Sequence, residues 1–149
     1  MREFEEHLNS LLVDTFNSIL KYEEMSLRTV SDIPITVTEA HLIEAIAKTG
    51  SNTSVSEIAS SLGIAMPTAT VAVKKLESKG FVTKLPSNED GRRLVVALTE
   101  LGKRVERAHG IFHRRMVRNI AGCFNEAEKE VLLTAIKKLS LFFREKVEV

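Results

Sequence analysis

Residues 54–99 read SVSEIASSLGIAMPTATVAVKKLESKGFVTKLPSNEDGRRLVVALT, and they contain the most informative pattern of the chain. Two short helical patterns flank Gly63, and Lys79-Gly80-Phe81 then leads into two strand-like runs that enclose a charged turn. This order predicts a helix-turn-helix followed by a β-hairpin wing. Such a motif places one helix in the DNA major groove, and a basic wing tip can reach the adjacent minor groove or the backbone. We therefore expect nucleic-acid binding.

The first helix of the motif has clear ends. Ser54 and Glu57 have the spacing of a capping box, and Gly63 supplies the stop. Between them, four apolar residues share one helical face: Val55, Ile58, Ala59 and Leu62.

The second helix is expected from about Pro67 to Lys79, with Ala69, Ala72, Val73 and Leu76 as its buried stripe. Its opposite side is small, short-branched and basic, which suits close approach to DNA. The predicted DNA-contacting residues on it are Pro67, Thr68, Thr70, Val71, Lys74 and Lys75. This face has no Arg, Asn or Gln for bidentate contacts to guanine or adenine, whereas methyl groups pack on thymine. An A·T-rich operator, read partly through its shape, is therefore expected.

The wing is predicted from strands over Phe81–Leu85 and Leu94–Leu98, joined by a polar turn. Asp90 precedes Arg92 by two residues, so we expect a salt bridge that directs the guanidinium into a narrow minor groove. Arg93 is a further candidate contact. The alternative is that this hairpin tip is simply solvated.

Long amphipathic helices are predicted on both sides, over about residues 3–30 and 100–146, with Thr38 capping a helix from Glu39 to Lys48. The fold class is thus mainly α with a small β-hairpin: one domain over 1–149 whose winged core covers about 38–99. The flanking helices carry more apolar surface than that core could cover. A homodimer is expected, with half-sites of a palindrome about one helical turn apart.

Charge is distributed unevenly along the chain although its net value is +1. Residues 1–62 hold 4 basic and 10 acidic side chains, residues 63–118 hold 12 and 5, and residues 119–149 hold 5 and 5. The positive segment coincides with the winged motif. Because a duplex is a dense array of phosphates, this local excess favours DNA as the partner.

Other classes of protein are disfavoured by composition. No apolar run is long enough to span a bilayer, and the acidic start at Glu3, Glu5 and Glu6 is unlike a signal peptide, so a cytoplasmic location and no membrane partner are expected. The lone Cys123 excludes an intramolecular disulfide and is expected to be buried.

An enzyme is not expected either. The four histidines form no metal-binding spacing with the cysteine, and there is no phosphate loop or nucleophile elbow. His109 and His113 lie one helical turn apart and could share a metal, but no Glu partner lies between them. We therefore predict no catalytic residue, no cofactor and no metal.

The capped helix 54–63, the segment from Lys75 to Val82, the wing residues 90–93 and Leu98-Thr99-Glu100-Leu101-Gly102 together resemble the MarR family of dimeric winged-helix regulators. The likeness covers essentially the whole chain. It implies that Arg92 is the minor-groove arginine, that Asp90 is its partner, and that residues 67–75 form the recognition helix. One departure is Ala65, which stands where the family usually has a Ser or Asp cap.

A narrower resemblance is to the subgroup that represses bacterial fatty-acid biosynthesis genes. Five segments carry it: 16–20, 23–28, 35–36, 39–41 and 112–117. It implies long-chain acyl-acyl carrier protein as corepressor. A carrier of this kind is acidic, and a cationic segment offers it a partner, with an ordinary solvated helix face as the alternative. That segment comprises Lys103, Arg104, Arg107, Arg114, Arg115 and Arg118.

A ligand cavity is expected where the long helices meet the reading module, since an acyl chain needs an apolar wall and a few polar groups. The candidates are Phe16, Leu20, Leu27, Arg28, His41 and His113. Each could instead be core or surface. Two alternative functions stay open: a MarR-type regulator released from DNA by a small aromatic or other ligand, and a winged-helix module that binds protein rather than DNA.

Overall fold

A computed structural model describes residues 2–50 and 52–147. In this part of the chain there are six α-helices and one two-stranded antiparallel sheet, so the predicted fold class, mainly α with a β-hairpin wing, is confirmed. The elements are α1 (Arg2–Leu27), α2 (Val37–Thr49), α3 (Val55–Leu62), α4 (Met66–Ser78), β1 (Val82–Pro86), β2 (Leu94–Leu98), α5 (Glu100–Gly122) and α6 (Glu126–Val147).

The helix α3 begins and ends where its sequence predicts. Ser54 Oγ accepts from the Glu57 amide at 3.3 Å, and Glu57 Oε2 accepts from the Ser54 amide at 2.7 Å. Gly63 has a φ of 62°, the left-handed conformation that only glycine adopts without strain. The turn of the motif is therefore set by local chemistry.

The start of α2 differs from the expected one. Thr36, not Thr38, is the N-cap, because its Oγ1 accepts from the Glu39 amide at 3.2 Å while Glu39 Oε2 accepts from the Thr36 amide at 2.9 Å. This reciprocal pair requires a separation of three residues, which Thr36 has and Thr38 lacks. Thr38 instead lies within the first turn.

The helix α4 begins and ends one residue earlier than predicted, at Met66 and Ser78 rather than Pro67 and Lys79. Ala65 is its N-cap and makes no side-chain capping bond. Pro67 lies in the first turn, where its missing N–H costs nothing because that amide has no partner within the helix. The proline thus compensates in part for the absent cap.

The core is centred on the winged module and includes residues of α1 and α5. The register of the wing pairs Val82 with Leu98 and Pro86 with Leu94, and the Val96 amide donates to the Thr53 carbonyl at 2.7 Å. The buried residues that pack together come from α1 to α5: Leu27, Ala40, Leu42, Ile43, Ile46, Ile58, Val73, Leu76, Phe81, Val82, Val96 and Val105.

The chain divides into two compact units, the first ending at Phe112 and the second beginning at His113, within α5. The second unit contains the rest of α5 and α6, and none of the α6 residues is buried. Cys123 is exposed, contrary to expectation, since it follows the last residue of α5 rather than facing a core. Within 2–50 and 52–147, no helix is both long and apolar enough to cross a membrane.

Candidate nucleic-acid interface and ligand groove

The helix α4 presents the outward face that the sequence predicts. Ala69, Val73 and Leu76 are completely buried, whereas Val71 is 68% exposed on the other side. Pro67, Thr68, Lys74 and Lys75 are also exposed. Thr70 is only half-buried, and its Oγ1 donates to the Met66 carbonyl at 2.9 Å, so its methyl group is the part left for a partner. The expected combination of methyl groups and lysines is therefore displayed on the surface.

The end of α4 is anchored to the start of α2. Lys79 Nζ, at the C-cap of α4, lies 2.8 Å from both carboxylate oxygens of the buried Glu39, and Lys75 Nζ lies 3.4 Å from Oε1. Burial acts to raise the pKa of Glu39, but the Lys79 hydrogen bond, the Thr36 amide and the two ammonium charges outweigh it and leave the pKa lowered. Lys75 therefore has an intramolecular partner, a role that its sequence position did not indicate.

The wing tip is built differently from the prediction. Asp90 Oδ1 accepts from the Arg92 backbone amide at 3.0 Å, instead of pairing with the Arg92 guanidinium. A short aspartate side chain readily reaches the amide two residues ahead, which makes an Asx turn. Asp90 thus shapes the turn, and the Arg92 side chain is exposed on it.

Arg93 ties the wing to α3. Its Nη2 lies 2.5 Å from Glu57 Oε2, the same carboxylate that caps α3. The Ser54 amide first, and then Arg93, lower the pKa of Glu57 to about 2. Arg93 therefore fixes the position of the wing, and its predicted contact with DNA stays a prediction.

Ser87, which sequence reasoning missed, is a second anchor of the wing. It is buried, its hydroxyl donates to Asn52 Oδ1 at 2.9 Å, and its amide donates to the Arg93 carbonyl at 2.7 Å. A serine in a polar turn is usually exposed, so the sequence does not indicate that Ser87 is buried. Its role depends on contact with Asn52, which only the folded structure shows.

A groove of about 950 Å³ lies between α1 and the start of α2. Four of the predicted ligand residues line it: Phe16, Leu20, Arg28 and His41. The sequence missed further lining residues, among them Lys21, Met25, Ile35 and Val37. The groove combines an apolar wall with Lys21 and with Arg28, whose guanidinium is paired with Glu24 at 3.1 Å. An acyl ligand with a polar head requires such a combination of apolar and polar groups.

Two predicted ligand residues do not belong to this groove. Leu27 is only 1% exposed and packs in the core, because its position on α1 faces α2. His113 is half-buried and belongs to the second unit, so its ligand role stays a prediction.

A buried polar cluster connects three helices of the first unit. Oε1 of Glu23, on α1, lies 2.7 Å from Nε2 of His41, on α2. The same oxygen contacts Nε2 of His109, on α5. Burial acts to raise the pKa of Glu23, but hydrogen bonds to His109 and His41 outweigh it, and the pKa is lowered. Because 86 residues separate Glu23 from His109, no local pattern could have indicated this cluster.

The cationic side chains of α5 lie on the surface of the protein. All six of these side chains, at positions 103, 104, 107, 114, 115 and 118, are exposed. Positions 103, 104 and 107 belong to the first unit, and positions 114, 115 and 118 belong to the second. At about 100° per residue, each set of three spans roughly a third of the helix circumference, and the two sets together are called the basic stripe.

The exposed α4 face and the anchored wing define a winged helix-turn-helix protein of the DNA-binding class. The model of the MarR family matches residues 35–94, from the approach to α2 to the start of β2. Residues 35–94 thus form a MarR-family domain, which is the domain of a transcriptional regulator rather than of an enzyme.

Solved structures support this assignment. FabT of Streptococcus pneumoniae, determined in complex with DNA, is 29% identical with a TM-score of 0.85, and the match covers 95% of this chain and 98% of FabT. A MarR/EmrR family regulator from Acinetobacter sp. ADP1 is 25% identical, with a TM-score of 0.64 and coverage of 95% and 97%.

The fold is shared more widely. MepR of S. aureus, solved with ethidium bromide, is 20% identical, with a TM-score of 0.65 and coverage of 90% of this chain and 95% of MepR. No curated protein matches the chain by sequence.

Proposed function

We propose that this chain is a dimeric repressor that binds a palindromic, A·T-rich operator. The observation that carries the proposal is the outward face of α4, where Val71 and Lys74 are exposed beside an anchored wing that presents Arg92. Methyl groups favour thymine in the major groove, and an exposed arginine favours a narrow minor groove. FabT, the similar protein in a DNA complex, has the same fold over nearly its whole length.

The dimer is supported by apolar faces on the flanking helices. On α1, Phe4 is 70% exposed and Phe16 62%, and on α6, Val131 is 70% exposed. Leu133, Ile136, Leu141, Phe142 and Phe143 of α6 are also more than half exposed. Covering such faces at roughly 25 cal/mol per Å² strongly favours association with a second copy.

We further propose that the regulated genes are those of fatty-acid biosynthesis and that long-chain acyl-acyl carrier protein is the corepressor. The apolar wall of the groove suits an acyl chain, and the ammonium group of its lining residue Lys21 suits an anionic head. The basic stripe on α5 complements an acidic carrier. The similarity to FabT supports this choice.

A second candidate is a regulator that a small aromatic ligand releases from DNA. The same groove has aromatic and aliphatic walls, and MepR, which shares the fold, was solved with ethidium bromide. The two candidates differ in the sign of the ligand's effect on DNA affinity.

The decisive experiment is fluorescence anisotropy on a duplex that the protein itself selects from a random library. Acyl carrier protein is added with a hexadecanoyl chain, with its bare prosthetic group, or replaced by ethidium. The proposal expects that only the acylated carrier tightens binding, and that Leu20→Arg, which fills the groove, removes this effect while leaving basal DNA binding intact. Release by ethidium alone would favour the second candidate, and failure to select any duplex would refute both.

A further inference from the structure

We propose that Glu23, His41 and His109 form a binding site for a divalent transition-metal ion, with Zn²⁺ as the best fit. Each residue offers one ligand atom, and these atoms lie within 4.8 Å of one another. Two imidazole nitrogens and one carboxylate oxygen are a common zinc ligand set that leaves a further coordination position open.

The geometry is close to what the metal needs. In a tetrahedral site with bonds of about 2.0 to 2.1 Å, neighbouring ligand atoms are roughly 3.4 Å apart. His41 Nε2 lies 2.7 Å from Glu23 Oε1, so a small outward rotation of the exposed His41 ring makes room for an ion. The Glu23 carboxylate must turn as well, because the same oxygen contacts His109 Nε2. Glu23 and His109 are almost fully buried, which limits these adjustments to small rotations.

A second carboxylate, that of Glu44, orients the ring of His109 from the side opposite Glu23. Its Nδ1 lies 3.4 Å from Glu44 Oε2 of α2, while its Nε2 faces Glu23. A carboxylate on one imidazole nitrogen favours the tautomer whose other nitrogen carries a lone pair, and metal-bound histidines usually have such a partner. Glu44 is therefore a positioning residue for this site.

The ligands come from three helices, so an ion would hold α1, α2 and α5 together. His41 also lines the groove between α1 and α2, which means that coordination would set the wall of that groove. The inference stands apart from the proposed function, because it concerns metal binding itself and is tested without DNA.

The alternative is that this site holds no metal and that protons shared in hydrogen bonds join the three side chains. A buried carboxylate hydrogen-bonded to two imidazoles satisfies its charge without a metal. The two cases are distinguished by metal affinity. We expect chelator-treated protein to bind one equivalent of Zn²⁺ with a submicromolar Kd in competition with a chromophoric chelator.

The matched variants are His41→Ala and His7→Ala. Both histidines are exposed, so neither substitution disrupts the core, but only His41 is a proposed ligand. His41→Ala should weaken Zn²⁺ binding by at least about 100-fold, Glu44→Gln by about 10- to 100-fold, and His7→Ala should have no effect. Equal affinity of the His41 and His7 variants, or no submicromolar site in the unaltered protein, would overturn the proposal.

Spectroscopy gives a readout that does not depend on substituting buried residues. The Zn²⁺-loaded protein should show at least two imidazole ligands by X-ray absorption, and Co²⁺ should give the visible bands of a four- or five-coordinate site. An octahedral Co²⁺ spectrum or fewer than two imidazoles would contradict the assignment.

Discussion

Lys79 Nζ donates to both carboxylate oxygens of Glu39 at 2.8 Å and to the Pro34 carbonyl at 2.9 Å, and it thereby joins the end of α4 to the start of α2. Glu39 also caps α2 through the Thr36 amide. One buried carboxylate thus sets both the entry of α2 and the exit of the predicted recognition helix.

Replacing Lys79 by Met should lower the free energy of unfolding by about 2 to 3 kcal/mol, because the Glu39 carboxylate stays buried with fewer partners. Chemical denaturation measures this change. The control is Arg28→Met, whose ion pair with Glu24 is exposed on both sides and should contribute less than about 0.5 kcal/mol. A double variant with Glu39→Gln should lose less than the sum of its single changes, and strict additivity would contradict the coupling.

Replacing Arg92 by Ala should weaken operator binding by about 1 to 3 kcal/mol without changing the melting temperature, because the Arg92 side chain is exposed on the wing. Anisotropy at fixed salt measures the affinity. Arg144→Ala, an exposed arginine on α6, is the control and should bind normally. An Arg92 variant with unaltered affinity would exclude the wing from the interface.

The Glu57 carboxyl should titrate with a pKa of about 2, well below its usual 4.5, in a ¹³C NMR experiment. The folded pKa lies below the unfolded one, so the stabilising contribution is present above pH 4.5 and is lost as the pH falls toward 2. Arg93→Gln should move the midpoint upward, while Arg92→Gln should not. A midpoint near the usual value in the unaltered protein would refute the Arg93–Glu57 anchor.

Gly102→Ala should destabilise the protein by about 1 to 3 kcal/mol, because the added Cβ would lie 2.1 Å from the Phe81 carbonyl oxygen. Thermal denaturation measures the effect. Gly122 lies on the same helix, and a Cβ added there would have nothing within 4 Å, so Gly122→Ala should be neutral or stabilising by up to about 1 kcal/mol. Similar losses in the two variants would contradict this steric account.

Ile136→Glu should shift the protein toward monomer in sedimentation velocity, because Ile136 is 52% exposed on the apolar face of α6 and a charge there opposes burial. Leu94→Glu is the control, since Leu94 is 57% exposed but lies on the wing strand β2. Dissociation of both variants, or of neither, would argue against the dimer through the flanking helices.

The sequence alone determined the winged motif, because its signals are local. The capping box of Ser54 and Glu57, the left-handed Gly63 and the short apolar runs of the wing strands are each features of a few residues, so residue types and spacing were enough to predict them. The exposed face of α4 followed from helical periodicity. The wrong prediction at the start of α2 was also local, because Thr36 and Thr38 are two nearby candidates for the same N-cap position.

Tertiary structure decided every feature that depends on contacts between distant residues. The Lys79–Glu39 pair spans 40 residues, the Arg93–Glu57 pair 36, and the Glu23–His109 contact 86. Such pairs form only when packing brings helices together, and a charged residue looks the same in sequence whether it faces solvent or a buried partner. That is why Arg93 and His109 acquired their roles only in the folded chain.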